Sequence, residues 1–292
     1  LMPTPYLSYI TRKTGADAGV MITASHNPAR YNGYKVYGAD GCQLTDDGAL
    51  EMIGYINKID PFDVVTQTLD EYLKSGMVEY VGDDVTADYL KEVFARRTAY
   101  AEGLNVTYSP LNGTGYKLVP EILKRMKVAK LDIVTEQSLP DGHFPTCPYP
   151  NPEKAEALKL GLECSAANGS DILIATDPDC DRVGIAVRTK EGMKLMTGNE
   201  VGVLLSDYLL MRKKENGTLP VNPVIVKTIV TTELVRKVAA PYGAEIKDVL
   251  TGFKYIGDVI GKLEKKGEEN RYVLGFEESY GYLSGTYVRD KD

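Results

Sequence analysis

Short runs of aliphatic and β-branched residues return along the chain. Several run straight into a loop of small, polar or glycine residues: "ITASHNP", "YSPLNGTG", "IATDPDCD", "KTIVTTE" and "GFEESYG". This recurrence constrains the fold more than any other feature, because each run has the length of a strand and is too short for a helix. Strands are expected at 19–24, 104–109, 131–136, 171–176, 183–187, 223–230 and 272–276, with helical patterns fitting between them. Thr45, ahead of Asp46 and Asp47, is expected to cap a helix whose Leu50, Ile53 and Ile56 face inward. Thr86 precedes a second helix carrying Tyr89, Leu90, Val93 and Phe94 on one face. Thr197 and Glu200 form a capping-box pattern ahead of Val201, Leu204, Leu205, Tyr208 and Leu209. The predicted fold class is α/β: consecutive, related α/β domains with mixed, largely parallel sheets flanked by helices. Ligands of such sheets gather at the carboxyl ends of strands, where all five loops would lie.

Polar, glycine-bearing stretches near 75–85 and 188–198 are the expected linkers, dividing the chain at 1–78, 79–190 and 191–292. A length of 292 residues, 43% hydrophobic and 26% charged, is ample for two or three buried cores. The net charge of −7 and the lack of a lysine- or arginine-dense run argue against a nucleic-acid partner, while leaving room for an anion wherever cations are local. No apolar run approaches the roughly 18 residues of a membrane helix, and the mixed N-terminal stretch is unlike a secretory leader. Cys42, Cys147, Cys164 and Cys180 include no CxxC pair and read as reduced thiols of a cytoplasmic protein. Neither "LMPTP" at the start nor "YVRDKD" at the end looks like a natural boundary, so a longer parent is expected.

"DILIATDPDCDRVGIAV" carries the strongest chemical signal. Asp177, Asp179 and Asp181 alternate after a strand, and in extended chain alternate side chains share a face. Three uncompensated carboxylates at one point would repel, and a hard dication such as Mg²⁺ or Ca²⁺ resolves the repulsion. An EF-hand is excluded, since the places needing glycine and glutamate hold Arg182 and Arg188. The same strand-then-Asp-x-Asp pattern also describes phosphatases with an aspartate nucleophile, in which Asp177 or Asp179 would take the phosphoryl group. A solvated acidic turn and a catalytically silent sugar-phosphate-binding module are further readings.

Elsewhere, Ser25 and His26 adjoin in "ITASHNP", and adjacency alone does not make a nucleophile–base pair. Glu277, Glu278 and Ser279 in "GFEESYG" suit recognition of neighbouring sugar hydroxyls, although a charged surface turn reads the same way. Lys254 and Lys35 could each meet a phosphate as a point charge. His143, in a proline-rich turn, reads as structural.

Taken together, "TASHNP", "DPDCDR" and "EESYG" resemble, in order and rough spacing, the phosphoserine, metal and sugar-binding loops of the α-D-phosphohexomutase family, across essentially the whole chain. The resemblance implies that 1–78 is the C-terminal part of domain I, 79–190 is domain II and 191–292 is domain III. It implies a phosphoserine at Ser25 and Mg²⁺ held by Asp177, Asp179, Asp181 and a phosphoserine oxygen. Arg182, His26 and Lys35 would lie beside the transferring group, with Lys254, Glu277 and Ser279 on the substrate. The implied reaction interconverts glucose 1-phosphate and glucose 6-phosphate through glucose 1,6-bisphosphate, which also serves as activator. Mannose, pentose or hexosamine phosphates, or bisphosphate synthesis, are the alternatives within the family, and the sugar loop, lacking the histidine of phosphomannomutase-like members, leans towards glucose. Small-molecule sugar phosphates are the expected partners, with no nucleic acid and no membrane; the sequence does not fix the oligomeric state. The family pattern also includes a longer start to domain I and a fourth domain with a phosphate loop, so these residues alone are expected to fold yet be nearly inactive.

Overall fold

A computed structural model describes residues 1–292, and it builds three successive α/β units. The first contains α1 (Thr4–Thr14), β1 (Ala18–Ile22), β2 (Tyr34–Gly38), α2 (Asp46–Ile56) and α3 (Leu69–Ser75). Its two strands form an antiparallel hairpin with Val20 opposite Val36 and Met21 opposite Lys35. The second unit runs through α4 (Asp83–Ala95), β3 (Asn105–Ser109), α5 (Leu118–Arg125), β4 (Lys130–Ile133), α6 (Lys159–Asn168), β5 (Ile172–Thr176), β6 (Val183–Thr189) and β7 (Gly192–Leu195). Its sheet has the order β4-β3-β5-β6-β7, parallel as far as β5 and antiparallel beyond. The third comprises α7 (Gly198–Glu215), β8 (Val224–Thr228), α8 (Leu234–Ala239), β9 (Glu245–Val249), α9 (Phe253–Glu264), β10 (Tyr272–Phe276) and β11 (Tyr282–Leu283). Its sheet has the order β11-β10-β8-β9, with only β11 antiparallel.

All the expected strands are present, and β2, β7, β9 and β11 join them. The expected linker at 188–198 is mostly the β6–β7 hairpin, so pairing in the second sheet continues past residue 190. β2 and β7 evade sequence reading because short hairpin arms mix lysine, tyrosine and glycine with few aliphatic residues.

Helix faces needed the tertiary structure. Leu50, Ile53 and Ile56 of α2 do not face inward: Leu50 is 66% exposed and no residue of the helix is buried. A two-stranded hairpin is too narrow to cover a helix. α4 begins at Asp83, ahead of Thr86, whose hydroxyl meets that of Tyr6 at 3.1 Å. The capping box at Thr197 and Glu200 is formed, but the buried stripe of α7 is Val201, Gly202, Ser206, Leu209 and Leu210, leaving Leu204 and Tyr208 exposed. Gly202 explains the rotation. A Cβ there would lie 2.1 Å from the ring of Phe276, so the bare backbone lets the helix press this face onto β10.

One hydrophobic core joins the units. Tyr6 and Tyr9 from α1, Tyr89 and Leu90 from α4, and Phe253, Ile256 and Ile260 from α9 pack with Val224, Val226 and Tyr272. Tyr6 and Tyr89 meet edge to face with ring centres 5.3 Å apart, a favoured aromatic geometry. This shared core fixes how the strand ends of different units face each other. No helix is long and apolar enough to cross a membrane.

Candidate active site

The Ser25 loop follows β1, the aspartate loop follows β5 and the Glu277 loop follows β10, each at a strand's carboxyl end as expected. Each loop bends through a non-glycine residue in the left-handed region: Ser25 at φ 54°, Cys180 at φ 54° and Tyr280 at φ 69°. Such conformations cost on the order of 1–3 kcal/mol and persist where surrounding structure over-determines them, as at functional sites.

Ser25 Oγ donates to Asp177 Oδ2 at 2.9 Å and lies 3.2 Å from His26 Nδ1. Its own N–H donates to Thr23 Oγ1 at 2.8 Å, and Thr23 in turn hydrogen-bonds Asp179. Lys35 Nζ stands 2.8 Å from Asp179 Oδ2 and 3.9 Å from Asp181 Oδ2. Asp177 also accepts from the backbone N–H groups of Asp181 and Arg182, each at 3.1 Å. Thus Ser25, His26, Lys35 and all three aspartates come together from units far apart in sequence.

The aspartate loop is not the extended segment that alternation implied. Cys180 N–H returns to Asp177 O at 2.9 Å, closing a turn, and no three acidic, histidine or cysteine side chains are gathered to ligate one ion. Asp177 turns inward to the backbone and Ser25, Asp179 to Lys35 and Thr23, and Asp181 to Lys291, whose Nζ is 3.1 Å away. The residues still fit a hard cation. All three carboxylates are buried, their donors are oxygens only, and both Asp181 oxygens lack an aligned hydrogen-bond donor.

Electrostatics follow from this crowding. Burial, then Asp181 and Asp179, push the Asp177 carboxyl well above its usual range. Burial pulls Asp181 the same way, but Lys291, Lys35 and Arg182 outweigh it and hold that carboxyl below the usual range. Burial lowers Lys35, yet Asp181 and Asp179 overcome it and raise the ammonium. His26 is pushed down to about 4, first by burial and then by Arg182.

The remaining expected residues divide. Glu277 is buried, accepts the Gly252 N–H at 2.9 Å and is raised by burial against the pull of Lys291. Ser279 lies half-buried in the same loop. Arg182 turns its guanidinium to Glu153 at 2.9 Å. Lys254 reaches Asp46 at 2.5 Å, tying the third unit to the start of α2 and not to the aspartates. Sequence reasoning missed Lys291, Thr23 and Glu153. Thr23 sits in the serine loop itself, and Lys291 follows an Asp290 that binds Tyr37 at 2.5 Å, but no local pattern marks either. Glu278 proves a support, accepting from Thr228 at 3.0 Å and Thr231 at 2.9 Å.

Comparison with known proteins bears on this arrangement. Residues 1–62, 87–192 and 197–292 match the models for the α/β/α domains I, II and III described as phosphoglucomutase/phosphomannomutase. A phosphoglucomutase of Staphylococcus saprophyticus is 37% identical over 292 residues, which cover 99% of this chain and 52% of the relative. The chain thus spans about half the length of that relative. A phosphoglucomutase/phosphomannomutase family protein of Burkholderia thailandensis shares the fold with a TM-score of 0.72 at 20% identity, over 100% of this chain and 58% of that one. The N-acetylphosphoglucosamine mutase of Aspergillus fumigatus, solved with GlcNAc-6P and magnesium, gives a TM-score of 0.59 at 16% identity, over 96% of this chain and 65% of its own.

Proposed function

The chain belongs to the phosphoglucomutase/phosphomannomutase family of α-D-phosphohexomutases, and on that footing we propose that the protein carrying it interconverts glucose 1-phosphate and glucose 6-phosphate through a phosphoserine at Ser25. The observation that carries the proposal is the setting of Ser25 Oγ, 2.9 Å from Asp177 and 3.2 Å from His26, with Lys35 on the neighbouring carboxylate. Phosphoryl transfer demands positioning and charge neutralisation more than covalent novelty, and this site supplies both.

A sugar hydroxyl attacks the phosphorus of the phosphoserine, the bond to Ser25 Oγ breaks, and the hydroxyl proton passes to His26, which hands it to the departing Ser25 Oγ 3.2 Å away. His26, pushed down to about 4, carries no proton near pH 7, and the negative charge of a phosphoserine beside it would raise its affinity for one. Lys35 and Arg182 balance charge that develops on the moving group, with Glu153 holding Arg182 in reach. The resulting glucose 1,6-bisphosphate turns over, its other phosphoryl group returns to Ser25, and the serine proton leaves by the same base. Glu277 and Ser279 read sugar hydroxyls in either orientation, and Lys254 meets the phosphate that is not reacting once released from Asp46. Asp177, Asp179, Asp181 and an oxygen of the phosphoserine would hold Mg²⁺, which when bound would draw charge from the phosphoryl oxygens.

The aspartate-nucleophile phosphatase is less well supported, because the buried Asp177 already engages Ser25 and two backbone N–H groups. The unpaired cysteines accord with a reduced, cytoplasmic setting. Intact-mass analysis of the purified full-length protein tests the reading. One acid-stable phosphoryl group on Ser25, discharged by glucose 1-phosphate, supports it; an acid-labile acyl phosphate on Asp177 or Asp179 overturns it.

A further inference from the structure

A second polar cavity of about 420 Å³ lies where the end of α4 meets the last turn of α7 and the loops flanking β10 and β11. It opens beside Tyr272 and Val273, which begin β10, whereas Glu277 and the proposed sugar site follow that strand's other end. Its size falls in the range of small-molecule pockets. Arg96 and Arg97 enter from the second unit and Arg212 and Lys213 from the third, against a single lining carboxylate, Glu269. In a chain of net charge −7 this is a local reversal of sign.

Cations in the last turn of a helix offset its dipole, which accounts for Arg212 and Lys213 singly. It does not account for their convergence with two arginines from another unit. The charges are only partly satisfied from within: Arg212 pairs with Glu215 at 2.7 Å and Arg96 with Glu92 at 3.4 Å. Arg97 and Lys213 have no carboxylate partner; Arg97 stacks on Phe94 at 4.1 Å, and Arg212 leaves Nε buried with no hydrogen-bond partner. Glu269 likewise leaves Oε2 buried and unpaired, so the cavity offers an acceptor beside its donors. Burial and then Arg96 depress the Lys213 ammonium, as expected where like charges meet in a half-buried cleft.

We propose that this cavity is a binding site for a small phosphate-bearing metabolite, held by Arg96, Arg97, Arg212 and Lys213 and bridging the second and third units. The site is separate from the Ser25 centre and does not depend on the reaction assigned to it.

Calorimetric titration with pyrophosphate and, separately, with glucose 1-phosphate tests the proposal. At least one probe should saturate the wild-type chain, and Arg97→Gln with Lys213→Gln should weaken that binding about tenfold or more. Circular dichroism checks that the double variant folds, and the single Lys213→Gln variant, in the half-buried last turn of α7, provides the same test if the double one does not. Preference for pyrophosphate would identify a bare phosphate as the recognised group, and preference for glucose 1-phosphate a phosphate ester, both in support. Saturation by neither probe overturns the proposal. So does binding that survives Arg97→Gln with Lys213→Gln but disappears in Lys35→Gln with Arg182→Gln, since the anion would then sit at the Ser25 centre.

Discussion

Ser25 Oγ donates a 2.9 Å hydrogen bond to Asp177 Oδ2 across 152 residues of chain. This contact joins the hairpin of the first unit to the strand end of the second. It places a nucleophile-sized hydroxyl against a buried carboxylate, so what happens at either residue is felt at the other.

Ser25→Ala in the full-length protein is expected to lower turnover of glucose 1-phosphate by about three orders of magnitude or more, because the variant lacks the atom that carries the phosphoryl group. A coupled assay for glucose 6-phosphate measures it. Near-normal turnover would remove Ser25 from the mechanism.

Magnesium should raise the melting temperature of the chain, since a ligand bound only by the folded state stabilises it, by about 2.7 kcal/mol at a hundredfold excess over Kd. Asp181→Asn should abolish most of that rise while preserving the far-ultraviolet dichroism, because neither buried Asp181 oxygen has an aligned hydrogen-bond donor and only the Lys291 and Lys35 ammonium groups compete with the metal for them. An equal magnesium shift in both proteins would exclude Asp181 as a ligand.

With only two histidines in the chain, His26 can be followed individually by nuclear magnetic resonance, with His143 as the second signal. In the metal-free, unphosphorylated protein His26 should titrate near 4, below the ordinary 6.5. The unfolded chain then binds more protons than the folded one between those values. Stability is therefore undiminished above about pH 6.5 and is lost as pH falls towards 4. A His26 midpoint at or above 6.5 would contradict the burial assigned to it.

Gly113→Ala should damage the aspartate loop from a distance. A Cβ at Gly113 would lie 2.4 Å from Pro178 Cα, between Asp177 and Asp179, so the loop must move. A displacement of about 1 Å can cost about a hundredfold in rate. Gly142→Ala, where a Cβ meets nothing within 4 Å, is the control and should be neutral. Equal activity in the two variants would show that loop placement is not critical.

The sequence by itself determined the layers and the loops. Aliphatic runs such as "DILIAT" and "YVLGF" have the length and branching of strands, the second buried on both faces and the first with Leu173 and Ala175 buried and Ile172 and Ile174 half-buried, and their carboxyl ends carry the polar loops that follow. The capping box of Thr197 and Glu200 was legible for the same reason: its signal is local, confined to three residues' spacing. Direction of packing was not local. Which stripe of α7 turned inward depended on Phe276 facing Gly202, and whether Leu50 and Ile53 were covered depended on the width of a neighbouring sheet. The same division runs through the candidate site. Ser25, His26 and the aspartates announced themselves by motif, but the turn at Cys180 decided that the three carboxylates point to different partners. Lys291 entered only because the common core of α1, α4 and α9 brings the end of the chain against Asp181. A motif records the chemistry of neighbours in sequence, whereas charge balance at a buried carboxylate is set by whatever the fold brings within a few ångströms.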